Sequence, residues 1–120
     1  MQYIGVDIVE ISRIDRLIKR WGGTFLRRVF TPAELKLFNN PSSLAARFAA
    51  KEAVLKALGA CDKGISWQEI EILAEPNGKP KVNLMGKAKL QAEESAISKL
   101  NISLSHSKAY AVAFVVGETA

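Results

Sequence analysis

The spacing of hydrophobic and polar positions changes several times along the chain, and each change marks the boundary of a predicted element. Residues 3–9 are nearly all apolar or β-branched, interrupted by one glycine and by Asp7, and predict a buried strand. From residue 11 the apolar positions recur every three or four residues up to Trp21, with Ser12 as a candidate cap. This spacing predicts an amphipathic helix that a pair of glycines ends.

The middle of the chain predicts two further helices. Thr31, followed by a proline and by Glu34, is typical of a helix start, so a short helix is expected over residues 32–39. Residues 43–59 consist mainly of strong helix formers and end in a glycine. On a helical wheel, the core stripe of this long helix consists of Leu44, Phe48, Leu55 and Leu58.

The last third predicts mostly strands. A hairpin is expected from residues 67–73 and 79–84, because the Asn77 and Gly78 pair between them favours a tight turn. Residues 87–99 have helical composition, and the final strands are expected at 102–107 and 110–116. This order predicts a single α+β domain over residues 1–120, with a mostly antiparallel sheet packed against helices.

Length and composition restrict the class of protein further. The 120 residues, 48% of them hydrophobic, describe one soluble domain. No apolar run approaches the roughly 20 residues of a membrane span, and the first residues do not resemble a secretory leader. Cys61 is the only cysteine, which excludes an internal disulfide. A cytoplasmic protein without membrane attachment is therefore expected.

Positive charge is concentrated in the first third of the chain. The net charge is +5, and every arginine lies at or before Arg47. The predicted outer face of the first helix, called the basic face below, carries Arg13, Arg16, Lys19 and Arg20. An anionic partner or a phosphorylated ligand fits this arrangement, and a merely solvated helix face is the simpler interpretation.

Candidate chemistry begins with the long helix, where Ala45, Ala49, Glu52 and Lys56 form a second stripe beside the core stripe. Small residues above a carboxylate and an ammonium group are typical of a groove wall that a phosphorylated ligand approaches. The alternative is an ordinary i,i+4 pair between Glu52 and Lys56, which contributes about 0.3–0.5 kcal/mol.

A carboxylate within an apolar strand needs a partner, because burying an unpaired charge is costly. Asp7 and Glu52, converging from distant segments, are the type of ligand pair that Mg²⁺ prefers when phosphate oxygens and water complete its shell. The alternative is that Asp7 lies at a strand end and caps the following turn. His106, the only histidine, either contacts phosphate, carries a proton or is a hydrogen-bonded surface residue.

Three segments together resemble one family. They are GVDIVEISRI at 5–14, RFAAKEAVLKALG at 47–59, and SLSHS at 103–107 with Tyr and Ala at 110–111. In this order and spacing the chain resembles the bacterial holo-[acyl-carrier-protein] synthases, the small class of 4′-phosphopantetheinyl transferases. The resemblance implies the fold of the 4′-phosphopantetheinyl transferases. It also implies that the protein transfers the phosphopantetheine arm of coenzyme A to a serine of apo acyl carrier protein and releases 3′,5′-ADP.

The resemblance also implies roles for individual residues. Asp7 and Glu52 would bind Mg²⁺, with Mn²⁺ as the alternative metal, and Lys56 would neutralise charge on the phosphoryl group. Glu52, directly or through a metal-held water, would remove the serine proton. The nucleotide end of coenzyme A would be held by Arg47, Ser105 and His106.

Partners and assembly follow from the same resemblance. The basic face, through Arg13, Arg16 and Arg20, would attract an acidic acyl carrier protein. A homotrimer with active sites between subunits is implied, and neither a nucleic acid nor a membrane is expected as a partner. Two other classes stay open: a nucleic-acid-binding module, which the placement of Trp21 on the apolar helix face disfavours, and a non-catalytic trimeric scaffold.

Overall fold

The structure is a computed structural model that describes residues 1–61 and 63–119. Four helices follow the first strand, and most of the remaining strands come in consecutive pairs, which is an α+β order. In chain order, they are β1 (Gln2–Glu10), α1 (Ile11–Trp21), α2 (Gly23–Val29), α3 (Pro32–Leu37), α4 (Pro41–Leu58), a 3₁₀ turn (Trp67–Glu69), β2 (Ile70–Ala74), β3 (Pro80–Leu84), α5 (Gly86–Glu94), β4 (Ile97–His106) and β5 (Tyr110–Thr119).

Two antiparallel sheets form the β-layer. The three-stranded sheet has the order β1-β5-β4, and β2 and β3 form a separate hairpin. In the larger sheet Asp7 pairs with Ala113, which in turn pairs with Leu104. The first strand, β1, thus pairs with the last strand, β5, which is central in this sheet. Asp7 lies in the middle of β1 rather than at its end.

Side chains alternate between the two faces of β1, as strand geometry requires. Gly5 and Val9 are buried on the face that packs against α4, and Asp7 shares this face. A Cβ atom at Gly5 would overlap the carbonyl oxygen of Ala53, so the glycine permits close contact between strand and helix. The opposite face is called the open sheet face below. Each of its large side chains is 46–63% exposed, and these are Ile4, Val6, Ile8, Tyr110 and Phe114. The prediction of a fully buried strand was therefore wrong for one face of β1.

The central helix α4 is buried on nearly all sides, because it lies between the sheet and the other helices. Asn40 caps its first turn by accepting a hydrogen bond from the backbone N–H of Ser43 at 2.9 Å. Gly59 ends it in the left-handed conformation. The predicted core stripe of Leu44, Phe48, Leu55 and Leu58 is confirmed as buried.

A buried ion pair connects α4 to α3 and the hairpin. Lys51 and Glu34 are both fully buried, and the Lys51 ammonium donates to Glu34 at 2.8 Å and to the carbonyl oxygens of Trp67 and Ile70 at 3.1 and 2.6 Å. Glu34 also accepts hydrogen bonds from the backbone N–H groups of Thr31 and Ile72, each at 2.8 Å. All three ammonium protons thus have acceptors, and burial still lowers the pKa of Lys51.

Several local predictions differ from the structure. Helix α2 was not predicted, and Ser12 does not cap α1, whose N-cap is Glu10. The helix expected at 87–99 is wrong at its end, because α5 stops at Glu94 and Ile97 begins β4. Ile97 and Lys99 pair with Thr119 and Glu118 of β5, and the side chain of Ile97 packs near Gly117. Helical composition does not reveal these contacts between distant residues.

The predicted α+β class and antiparallel sheet are confirmed. Within the described residues, no helix combines the length and apolar character needed to cross a membrane.

Candidate active site

Asp7 and Lys56 meet where β1 crosses the last turn of α4. The Lys56 ammonium lies 3.2 Å from Oδ1 of Asp7 and donates a second hydrogen bond to the carbonyl oxygen of Val6 at 3.0 Å. The Asp7 side chain is 19% exposed and that of Lys56 48%, so the pair lies at the rim of the fold. The interpretation of Asp7 as a turn cap is wrong, because its partner is a cation from another element.

Glu52 lies one turn before Lys56 on α4 and beside the same carboxylate. Burial, and secondly the negative charge of Asp7, raise the pKa of Glu52 above its ordinary value, and Lys56 and Arg13 partly oppose this rise. Two carboxylates from distant segments therefore share one electrostatic environment with a lysine and an arginine. Titratable groups with raised pKa values at a rim are typical of functional sites.

The alternative of an isolated i,i+4 pair does not hold in the described structure, because Lys56 bonds to Asp7 and not to Glu52. The predicted groove wall is also wrong in part. Ala45 and Ala49 are fully buried in the helix–sheet core, so they line no groove, and only Glu52 and Lys56 reach the surface.

The oxygen donors at this site fit a hard divalent cation. Among the described residues, no group of three or more His, Cys, Asp or Glu side chains is arranged to hold a metal ion by itself. Mg²⁺ is commonly bound by one or two carboxylates together with substrate phosphates, so the pair of Asp7 and Glu52 is sufficient in number and type. A cation would also relieve the repulsion between them that raises the pKa of Glu52.

Arg47 lies apart from these residues in the single chain. It is nine positions before Lys56 on α4, which is about 180° around and about 14 Å along an ideal helix. Its guanidinium carbon lies 3.5 Å from the centre of the Phe38 ring, and its buried Nε has no hydrogen-bond partner among the described residues. Burial lowers the pKa of Arg47, and Glu34 opposes this effect. An unpaired buried N–H group on a cation is suited to receive an anion.

Ser105 and His106 lie at the exposed end of β4. They pair with Val112 and Ala111 of β5. Because β5 lies between β4 and β1, β4 is two strand spacings, about 10 Å, from β1. Strand alternation places His106 on the sheet face of Asp7 and Ser105 on the open sheet face. Nδ1 of His106 lies 3.4 Å from the carbonyl oxygen of Ser107. The single chain therefore does not unite these residues with Asp7 and Glu52.

The basic face is exposed, as predicted. Arg13, Arg16 and Arg20 all lie on the surface of α1, and Arg13 is close enough to Glu52 to lower its pKa. Trp21 lies beside Leu17 and Phe25 on the apolar side of α1, as expected. It is nevertheless 53% exposed at the helix end, with the Arg20 guanidinium 5.2 Å from its ring centre. The basic face thus extends from the carboxylate site to an exposed aromatic ring.

Three residues with clear roles were not singled out by the sequence analysis. Lys51 and Glu34 form the buried ion pair, and Phe38 lies against Arg47. The sequence marked Glu34 only as an acid at the start of a helix, and in the structure it forms a capping box with Thr31. A signal for Lys51 was available, since a lysine among the alanines of a buried helix requires a partner.

Comparisons with known proteins agree with the predicted resemblance. The 4′-phosphopantetheinyl transferase superfamily matches residues 3–115. The chain belongs to this superfamily. It is 52% identical over 119 residues to a holo-[acyl-carrier-protein] synthase of Dehalococcoides mccartyi, covering 98% of this chain and 99% of the relative. Its identity to the synthase of Moorella thermoacetica is 50% over 119 residues, covering 96% and 92%.

Solved structures of the transferase superfamily share the fold. The holo-[acyl-carrier-protein] synthase of Neisseria meningitidis superimposes with a TM-score of 0.88 at 39% identity, covering 98% of each chain. The Helicobacter pylori synthase, solved in complex with coenzyme A, gives a TM-score of 0.87 at 38% identity, covering 96% of this chain and 99% of that one. The predicted family, the fold and the transferase class are therefore confirmed.

Proposed function

We propose that this transferase moves the 4′-phosphopantetheine arm of coenzyme A to a serine of apo acyl carrier protein in a magnesium-dependent reaction. The observation that carries the proposal is the convergence of Asp7, Glu52 and Lys56 at one rim of the fold. Two carboxylates and an ammonium group suit a pyrophosphate, since phosphoryl transfer depends mainly on positioning and charge neutralisation.

The reaction assigns a different task to each side chain. The serine oxygen bonds to the phosphorus that carries the pantetheine arm, the bond to the leaving phosphate breaks, and 3′,5′-ADP departs. Glu52 accepts the serine proton, either directly or through a water held by the metal. Lys56 neutralises the developing negative charge. Magnesium, held by Asp7 and Glu52, supplies positive charge to the pyrophosphate when bound.

The nucleotide end of coenzyme A is assigned to Arg47, Ser105 and His106. Arg47 brings a buried N–H group that has no hydrogen-bond partner in residues 1–61 and 63–119, and His106 brings an exposed imidazole. Both groups suit phosphate oxygens. Because the three residues lie on different sides of one chain, the proposed cleft forms between protomers, where residues of two chains meet.

A homotrimer is therefore part of the proposal. The open sheet face supports it, because five large side chains there are 46–63% exposed on a regular sheet. A contiguous apolar surface of this kind is typical of an interface between proteins. Residues 1–120 are proposed to act as one domain, and a cytoplasmic location suits an exposed free cysteine, Cys61.

The basic face is proposed to bind the acidic acyl carrier protein. Arg13, Arg16 and Arg20 are exposed on α1, and Arg13 is the one that lies near Glu52. A carrier protein attracted to this surface would present its serine close to the carboxylate site. Association should accordingly slow as salt is raised.

Mass spectrometry of intact carrier protein tests the reaction. Apo acyl carrier protein incubated with coenzyme A, Mg²⁺ and this protein is expected to gain the mass of one phosphopantetheine arm. Asp7→Asn and Glu52→Gln variants should lose this gain while keeping their circular dichroism spectra. A matched control, Glu93→Gln in α5, alters an exposed carboxylate and should retain it.

If no transfer is found, two further observations distinguish a non-catalytic scaffold from a nucleic-acid-binding module. Absence of transfer to several carrier proteins, from a folded protein that coenzyme A does not stabilise against heat, would reject the enzyme and favour the scaffold. A gel shift with nucleic acid that Arg16→Ala and Arg20→Ala abolish would favour the nucleic-acid-binding module.

A further inference from the structure

The Lys56 ammonium is paired with the carboxylate of Asp7, which is the group that a divalent cation would bind. Its ammonium lies 3.2 Å from Oδ1 of Asp7, and the carbonyl oxygen of Val6 holds it there with a second hydrogen bond at 3.0 Å. A metal ion bound to Asp7 would face this ammonium at close range, and like charges at such a distance repel strongly. The lysine and the cation therefore compete for one carboxylate.

The position of Lys56 allows it to leave. Its side chain is 48% exposed, whereas Asp7 is 19% exposed and is fixed in the middle of β1. A lysine side chain has four rotatable carbons, so the ammonium can move several ångströms without displacement of α4. An anion beside the site would attract it away from Asp7.

We propose that the Lys56 ammonium pairs with Asp7 in the free protein and thereby weakens the binding of a divalent metal ion. When coenzyme A binds, its pyrophosphate attracts the ammonium away from Asp7, and the metal then binds more tightly. The inference rests on the proposed function and adds an order of loading to it. Metal and coenzyme A bind cooperatively, since each favours the position of Lys56 that the other requires. Such coupling is reciprocal by thermodynamic linkage.

Binding of Mn²⁺ to the free protein, followed by electron paramagnetic resonance without carrier protein, tests the inference independently of activity. Lys56→Met should bind Mn²⁺ about three- to fivefold more tightly than wild type, as expected for loss of a half-exposed charge. Lys56→Arg keeps the cation and should remain close to wild type. Lys19→Met removes the lysine of an exposed pair with Asp15, 2.9 Å apart, and should have no effect.

A second titration with coenzyme A present measures the coupling. Coenzyme A should raise the Mn²⁺ affinity of wild type by a larger factor than that of Lys56→Met, because the variant has no lysine to release. Equal or weaker Mn²⁺ binding by folded Lys56→Met in the absence of coenzyme A would overturn the inference. It would leave the proposed function in place if transfer by wild type is observed. Failure of both wild type and Lys56→Met to bind Mn²⁺, with or without coenzyme A, would overturn the inference and the proposed function together.

Discussion

Loss of the Lys51 ammonium is expected to destabilise the protein more than any surface change. In Lys51→Met the side-chain volume is nearly kept, but the fully buried Glu34 carboxylate loses its cation and the carbonyl oxygens of Trp67 and Ile70 lose a donor. Breaking a buried ion pair on one side typically costs about 3–5 kcal/mol. We therefore expect a decrease of this size in the free energy of unfolding.

Urea unfolding followed by circular dichroism measures this decrease. The m-value should stay constant and the midpoint should fall, and two protein concentrations should be compared because assembly affects apparent stability. The double variant Lys51→Met with Glu34→Gln removes the unpaired charge. It should therefore be more stable than the sum of the single effects predicts, by at least about 1 kcal/mol.

An exposed pair of a lysine and a carboxylate provides the control. Lys19 and Asp15 lie 2.9 Å apart with the lysine side chain 76% exposed, and Lys19→Met should cost at most about 1 kcal/mol. If Lys51→Met cost no more than Lys19→Met, or if the double variant were strictly additive, the buried pair would not connect α3, α4 and the hairpin as described.

Three further predictions follow from the fold and the site. Gly5→Ala should lower the free energy of unfolding by about 1–3 kcal/mol in urea, because its Cβ would overlap the carbonyl oxygen of Ala53; an unchanged midpoint would contradict the close packing of β1 on α4. Phe114→Asp, in the middle of the open sheet face, should dissociate the proposed trimer in light scattering while preserving helical content, and an unchanged mass would argue against this interface. In metal-free buffer, Glu52 keeps its proton to higher pH in the folded chain than in the unfolded chain, because folding raises its pKa. The contribution of Glu52 to the free energy of unfolding therefore falls as pH rises above about 4.5, the ordinary pKa of a glutamate. Glu52→Gln should accordingly be more stable than wild type at neutral pH but not below pH 4.5, and a difference that grows toward acid pH would refute this.

The local pattern of residues determined most of the elements and the family. An apolar run located β1, apolar spacing located α1, and helix-forming residues located α4. The aspartate in an apolar strand marked Asp7 as a residue that needs a partner. These signals are visible in sequence because strand alternation, helix spacing and caps depend on residues a few positions apart. The family resemblance rested on the same segments, and the assignments of metal, coenzyme A and carrier-protein contacts stay predictions.

Contacts between distant residues were decided only by the tertiary structure. Lys56 could pair with Glu52 one turn away or with Asp7 from another element, and the crossing of β1 over α4 selected Asp7. The same packing buried Lys51 against Glu34 and placed Arg47 against the ring of Phe38. Residues 97–99 became a strand although they end a segment of helical composition, because β5 offered them a partner. Which side chains a polar group meets depends on how the elements pack, and the spacing of residues along the chain does not contain that information.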